Sequence, residues 1–254
     1  MLERLNEILC QERGEIPPKY LSTQKKAEYF RALCNIRPPA SVSDEFLELQ
    51  DRYLKAKSLE RGIVDVTCLD YKDSIALWQG DITRLNSDVI VNAGNSALLG
   101  CFQPLHNCID NIIHSNAGVQ VRLDCHKMMQ GSHSPNGEVV VTSAYNLPGR
   151  FIFHTVGPIV QNGQPSAQDV ADLRKCYRSC LETAGEMGIK TLAFCCLSTG
   201  VYGYPKNLAA KLAIATVKEC LPGTNGLKVI FNVFLDEDKA YLFMCKKNPE
   251  KNEV

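Results

Sequence analysis

Residues 87–111 read SDVIVNAGNSALLGCFQPLHNCIDN. The run Val89, Ile90, Val91 is β-branched and uninterrupted by polar residues, as a strand buried on both faces reads. Asn92, Gly94 and Asn95 then close it, residue types that end strands in turns. Next come Cys101, His106 and Cys108 in a C-x4-H-x-C spacing, and Asp110 stands where a helical window opens. Two thiols and an imidazole this close suit a soft divalent metal, zinc foremost. Structural zinc sites almost always close with four protein ligands, whereas catalytic ones keep a position open. Three ligands therefore point to an open site; a fourth from Cys125, His126, His114 or His133 would make the loop a structural staple instead.

Working outward, the same kind of run recurs in SIALWQGDI, GEVVVTSAYN, RFIFHTVGP, IKTLAFCCLSTG and LKVIFNVF, each bounded by Gly, Asn, Asp or Pro. Helical windows lie near residues 109–129, 168–187 and 207–221. Near-continuous apolar strands alternating with helices predict an α/β fold whose sheet is covered on both faces. Residues 1–72 read differently. MLERLNEILCQER carries Leu2, Leu5, Ile8 and Leu9 on one helical face, TQKKAEYFRALCN repeats the pattern, and SDEFLELQDRYLKAK places Phe46, Leu49 and Tyr53 in a stripe behind a Ser43 N-cap. Paired prolines in EIPPKY and IRPPAS separate them. The expectation is a small helical extension over 1–72, its stripes docked on a main region over 73–254.

A chain of 254 residues suffices for one main core. The formal net charge of +0 excludes an overall positive field for nucleic acid or an anionic membrane, so any anionic ligand must be held locally. No apolar run approaches the roughly 18 residues of a membrane span, and MLERLNEILCQERGE is too charged for a signal peptide. A cytoplasmic protein is expected, with no nucleic-acid or membrane partner. Of the twelve cysteines, Cys176, Cys180, Cys195, Cys196 and Cys220 fall at apolar positions and read as buried thiols rather than disulfides.

In a covered sheet, ligands bind beyond the carboxyl ends of the strands. Asp81 in WQGDIT, Asn92 and Asn95 in VNAGN, Gly200 and Gly203 around Tyr202 in LSTGVYGYP, and Phe234 in FNVFLDED all fall there. A Gly-rich strand-to-helix loop presents backbone N–H groups to a phosphate without Lys or Arg. His154, within FIFHTVGP, reads as a core histidine, and Phe234 taken alone as a core residue.

Together and in this order, QGDIT, VNAGN, CIDNIIHSNAG, GEVVVTSAYNLP, FIFHTVGP, LSTGVYGYP and VIFNVF, spread over about residues 74–245, resemble the macrodomain family of ADP-ribose-binding modules. The resemblance implies a three-layer α/β/α macrodomain with a mixed central sheet and an ADP-ribose cleft at the strand ends. It implies that Asp81 accepts from the adenine amino group beside a backbone contact from Ile82, and that Phe234 walls the adenine. Gly200, Val201 and Tyr202 would line the diphosphate and Asn95 the distal ribose. Asp110 would be the acidic residue of hydrolytic members, acting with Asn95; a helix-capping carboxylate is the plainer reading.

Hydrolytic macrodomains commonly carry a short glycine run where this chain has LLGCFQPLHNCI. The longer segment is similar to that of a zinc-containing bacterial subfamily, which also carries a helical amino-terminal extension. That resemblance implies Zn(II) on Cys101, His106 and Cys108 beside the distal ribose, activating water or holding a ribose hydroxyl. It implies a zinc-dependent hydrolase that removes mono-ADP-ribose from protein side chains, with ADP-ribose and a mono-ADP-ribosylated protein as partners. A lipoyl-carrier protein marked by a sirtuin-like transferase is the associated setting. Two rivals would use the same cleft: a non-catalytic ADP-ribose reader and an O-acetyl-ADP-ribose deacetylase.

Overall fold

Three amphipathic helices come first, α1 (Leu2–Glu12), α2 (Thr23–Ile36) and α3 (Asp44–Arg61). Ser22 and Ser43 cap α2 and α3 by accepting from the Lys25 and Phe46 amides, which satisfies donors that have no partner inside a helix. The structure, a computed structural model, describes residues 1–239; the end of the expected 73–254 region lies outside them. Leu5, Leu9, Phe30, Leu33, Phe46, Tyr53 and Leu54 close on one another, joined from the rest of the chain by Val119. The stripes thus form a core of their own rather than simply docking, because three helices together can bury what one alone cannot. Attachment to the remainder is largely polar: Gln50 accepts from the Val119 amide at 3.0 Å and donates to Gln120 at 2.7 Å, and Asn146 donates to Asp51 at 2.7 Å.

The strands are β1 (Ile75–Gln79), β2 (Val89–Ala93), β3 (Val139–Ser143), β4 (Phe151–Thr155), β5 (Thr191–Phe194) and β6 (Lys228–Val233). They form one sheet in the order β1-β6-β5-β2-β4-β3. All neighbours are parallel except β3, which runs antiparallel to β4. Helices α4 (Ile109–Ala117), α5 (Val119–Met129), α6 (Ala167–Glu186) and α7 (Lys206–Cys220) complete a three-layer α/β/α arrangement. The expected single window over 109–129 is two helices, broken at Gly118, whose φ of +108° no helix accommodates. Val89, Val91, Ile152, Phe153, Leu192, Phe194, Val229 and Ile230 are buried in the main core. Cys176, Cys180 and Cys195 are buried as expected, while Cys196 and Cys220 are only half-buried. Among the described residues no helix is long and apolar enough to cross a membrane.

Because five strands run parallel, their carboxyl ends open on one edge of the sheet. Three strand spacings of about 4.8 Å, roughly 14 Å, separate β1 from β2. The residues that follow these strands line the length of that edge.

Candidate active site and metal centre

At the end of β2, Asn92 is fully buried and its side-chain amide donates to Asp110 Oδ1 at 2.8 Å. The same amide nitrogen lies 3.1 Å from His154 Nδ1, which must accept because the amide can only donate. His154 Nε2–H then donates to Thr142 Oγ1 at 2.9 Å. Burial drives the His154 pKa down to about 3, so the ring is neutral. His154 is the core residue expected, and it also orients Asn92. Asn95 reaches Asp110 Oδ2 at 3.5 Å while its oxygen accepts from the Ala97 amide at 3.1 Å.

Asp110 occupies the first turn of α4 but does not cap it; Cys108 is the N-cap, accepting from the Asn111 amide at 3.4 Å. The plainer reading of Asp110 as a capping carboxylate is therefore replaced by one of a carboxylate held by β2 and the loop after it. Burial pushes its pKa up to about 6, opposed by the Asn92 hydrogen bond and the Arg122 charge. His114 Nε2 stands 3.5 Å from Asp110 Oδ1. Burial holds that imidazole well below its ordinary pKa, so the contact is not an ion pair.

Cys101, His106 and Cys108 come together in the loop that runs into α4, their ligand atoms all within 4.8 Å of one another. Cys101 Sγ to His106 Nδ1 is 3.7 Å. Sulfur at about 2.3 Å and nitrogen at about 2.0 Å from one tetrahedral ion stand about 3.6 Å apart, so this pair already has the spacing zinc requires. Burial pushes the Cys108 thiol up to about 11. Among the described residues no fourth ligand joins the cluster. Cys125 is buried in the main core, His133 shares a 3.0 Å hydrogen bond with Ser96, and His126 is exposed. His114 packs instead on Gly100, where a Cβ would lie 2.9 Å from its Nδ1. The residues fit a three-ligand soft-metal site with one position left.

At the other end of the edge, Asp81 heads the short 3-10 turn Ile82–Arg84 and accepts from the Thr83 amide and hydroxyl at 3.0 and 2.7 Å. Its second oxygen accepts from Arg61, the last residue of α3, at 3.0 Å. Ile82 is buried, fixing the turn. In the loop between β5 and α7, the Gly203 amide donates to the Gly200 carbonyl at 3.0 Å. Tyr202 is half-buried, its hydroxyl donating to the Gly94 carbonyl at 3.4 Å, which ties this loop to the one after β2. Val201 and Phe234 are 78% and 71% exposed, so Phe234 is not a core residue.

Sequence reading missed several supports. Ser198 adopts a left-handed φ of +61° with a buried hydroxyl that has no partner among the described residues. Asn111 and the α2 residues Arg31 and Asn35 all bond the cysteine loop. Asn111 closes the CIDN stretch without any signal of its own, and nothing local marked the other two.

The macro domain profile matches residues 91–213. The protein-ADP-ribose hydrolase of Staphylococcus aureus (strain MRSA252) is 47% identical over 216 residues, covering 83% of this chain and 81% of its own. A variant of the Oceanobacillus iheyensis macrodomain with ADPR is 34% identical with a TM-score of 0.65, over 71% of this chain and 97% of its own. The Trypanosoma brucei macrodomain in complex with ADP-ribose is 29% identical with a TM-score of 0.65, over 85% and 94%. The mixed sheet and an identity of this extent converge, and the chain belongs to the macro domain family.

Proposed function

We propose that this macrodomain hydrolyses the bond joining ADP-ribose to a modified protein side chain, at a centre where Cys101, His106 and Cys108 hold Zn(II). The observation that carries the reading is a buried carboxyl, Asp110, held by Asn92 and facing Asn95, two residues beyond a three-ligand cluster. A module that only read ADP-ribose would need neither. The Staphylococcus aureus relative's name supports the same activity.

In this reading Asp81 accepts from the adenine amino group, the Ile82 amide contacts the ring edge, and Phe234 walls its face. Backbone amides of Gly200, Val201 and Tyr202 hold the diphosphate, and a half-buried Tyr202 keeps that loop against the one after β2. Asn95 orients the distal ribose. Asp110 takes a proton on the oxygen that Asn92 leaves free, from water or a ribose hydroxyl, as general base. When bound, zinc would supply a Lewis acid beside that ribose. Residues 73–254 would carry the whole cleft and residues 1–72 the helical extension.

The test is turnover of a mono-ADP-ribosylated protein by the protein as purified, after chelation, and after zinc is restored, with ADP-ribose binding followed in each state. A modified lipoyl-carrier protein and O-acetyl-ADP-ribose serve as alternative substrates. Activity should follow zinc, and Asp110→Asn should lose roughly 100-fold or more in kcat with binding retained. Equal binding in all three states with no cleavage would make the protein a reader; full activity without metal would sink the zinc assignment; turnover confined to the acetyl ester would make it a deacetylase.

A further inference from the structure

The segment carrying the three metal-ligand residues has no regular structure over 101–108, and Leu105, next to His106, lies at φ +56°. A non-glycine residue in this left-handed region costs about 1–2 kcal/mol, so it persists only where its surroundings hold it. The holding groups come from α2. Arg31 and Asn35 are four residues apart and so share a helix face. Asn35 Oδ1 accepts from the Leu105 amide at 3.0 Å, and an Arg31 terminal nitrogen donates to the His106 carbonyl at 2.8 Å. The dipeptide that carries the imidazole is thus gripped at both ends.

The grip continues to the thiols through Asn111, which is fully buried. Arg31 also donates to Asn111 Oδ1 at 2.8 Å. Ser115 donates to that oxygen at 3.2 Å and itself accepts from Asn35 at 3.0 Å. Asn111 in turn gives its backbone amide to Cys108 Sγ at 3.4 Å and its side-chain amide to the Gln103 and Cys101 carbonyls at 2.9 and 3.4 Å. Every ligand residue is therefore either bonded by Arg31 or bonded by the asparagine that Arg31 holds.

We propose that Arg31 and Asn35 of α2 are positioning residues of the metal centre, fixing the His106 backbone so that its imidazole meets the Cys101 and Cys108 thiols as a preformed site for a divalent metal. The inference rests on the metal reading above and deepens it, making the helical extension part of the metal centre. Without these two side chains the loop must be ordered by the metal itself, and that ordering lowers affinity. Partners of this kind are worth about 10- to 100-fold in metal affinity.

The experiment uses the full chain. Metal-free protein is titrated with Zn(II) against a chromophoric chelator, and Co(II) uptake is followed by thiolate charge-transfer absorption. Arg31→Ala and Asn35→Ala should each weaken Zn(II) binding about 10- to 100-fold and dim the cobalt band. Asn35→Asp, which keeps an acceptor for the Leu105 amide, should lose less, and Lys25→Gln, exposed and about 100° around α2 from that pair, nothing. Adding Leu105→Gly to Asn35→Ala relieves the left-handed residue and should recover part of the loss; that pair keeps the test decisive if one alanine variant folds poorly. Variants that bind Zn(II) within about twofold of the unsubstituted protein, with the same cobalt spectrum, overturn the inference alone. An unsubstituted chain that takes up no metal overturns the metal reading and the inference with it.

Discussion

Acid should unfold this protein partly through His154, and the size of the effect follows from its partners. Nδ1 accepts from Asn92 and Nε2–H donates to Thr142, so a second ring proton would face the Asn92 amide hydrogen in a fully buried site. The folded pKa is accordingly driven down to about 3, against about 6.5 in an unfolded chain. Between these values the unfolded state binds the extra proton, so stability is complete above about pH 6.5 and is lost as pH falls toward 3. From about pH 7.5 to about pH 5 the loss amounts to about 2 kcal/mol from this ring. His154→Gln does not titrate, but forfeits two hydrogen bonds worth about 2 kcal/mol together at neutral pH. Urea unfolding of both proteins across this range should therefore show a deficit of about 2 kcal/mol near pH 7.5 that closes near pH 5. His114 shifts in the same direction and Asp110 in the opposite one, but both titrate in either protein and largely cancel in the difference. A deficit that stays constant with pH would refute the argument that His154 is buried neutral.

Two further outcomes test the nucleotide end. Phe234→Ala removes a ring that is 71% exposed, so stability should change by no more than about 0.5 kcal/mol, while ADP-ribose affinity by calorimetry should fall about 5- to 100-fold if the ring stacks on the base; an unchanged Kd places the base elsewhere. Gly203 lies at φ +69°, and a Cβ there would come within 2.9 Å of the Val160 carbonyl, so Gly203→Ala should cost at least about 1–2 kcal/mol and weaken ADP-ribose by distorting the turn from Gly200; a melting temperature and Kd equal to the unsubstituted protein's would show that the loop tolerates rearrangement.

Strand ends were legible because the apolar runs are short, β-branched and stop at Asn, Gly or Asp. VIVNAGN announces both a buried strand and the polar residues beyond it. The cysteine loop was legible for a related reason: its two thiols and imidazole are close in sequence, and the structure brings their candidate ligand atoms within 4.8 Å. What stayed hidden depends on long-range contacts. Arg31 meets the His106 carbonyl across 75 residues and Asn35 the Leu105 amide across 70; in the sequence both are unremarkable polar positions of an amphipathic helix. The break at Gly118 was hidden too, since apolar periodicity runs through it and only the backbone shows φ leaving the helical region. Phe234 could not be separated from a core residue by type, because the same apolar ring closes a strand in either case, and only the structure shows it 71% exposed.

The first three helices touch both ends of the edge formed by the strand ends, and the two contacts differ in kind. Arg61 pairs with Asp81 where both side chains are about 30% exposed, and an ion pair so open to water contributes at most about 1 kcal/mol. Its consequence is orientation: with Thr83 on one carboxylate oxygen and Arg61 on the other, Asp81 has little freedom to turn. At the far end, Asn35 is 2% exposed and Asn111 is wholly buried, so each lost partner leaves a desolvated polar group at about 1–3 kcal/mol. A helical bundle whose apolar side chains mostly satisfy one another would need no such polar reach toward the sheet if it were only an appendage. The placement of Arg31, Asn35 and Arg61 on its outward faces indicates that these helices brace the turn after β1 and the loop before α4.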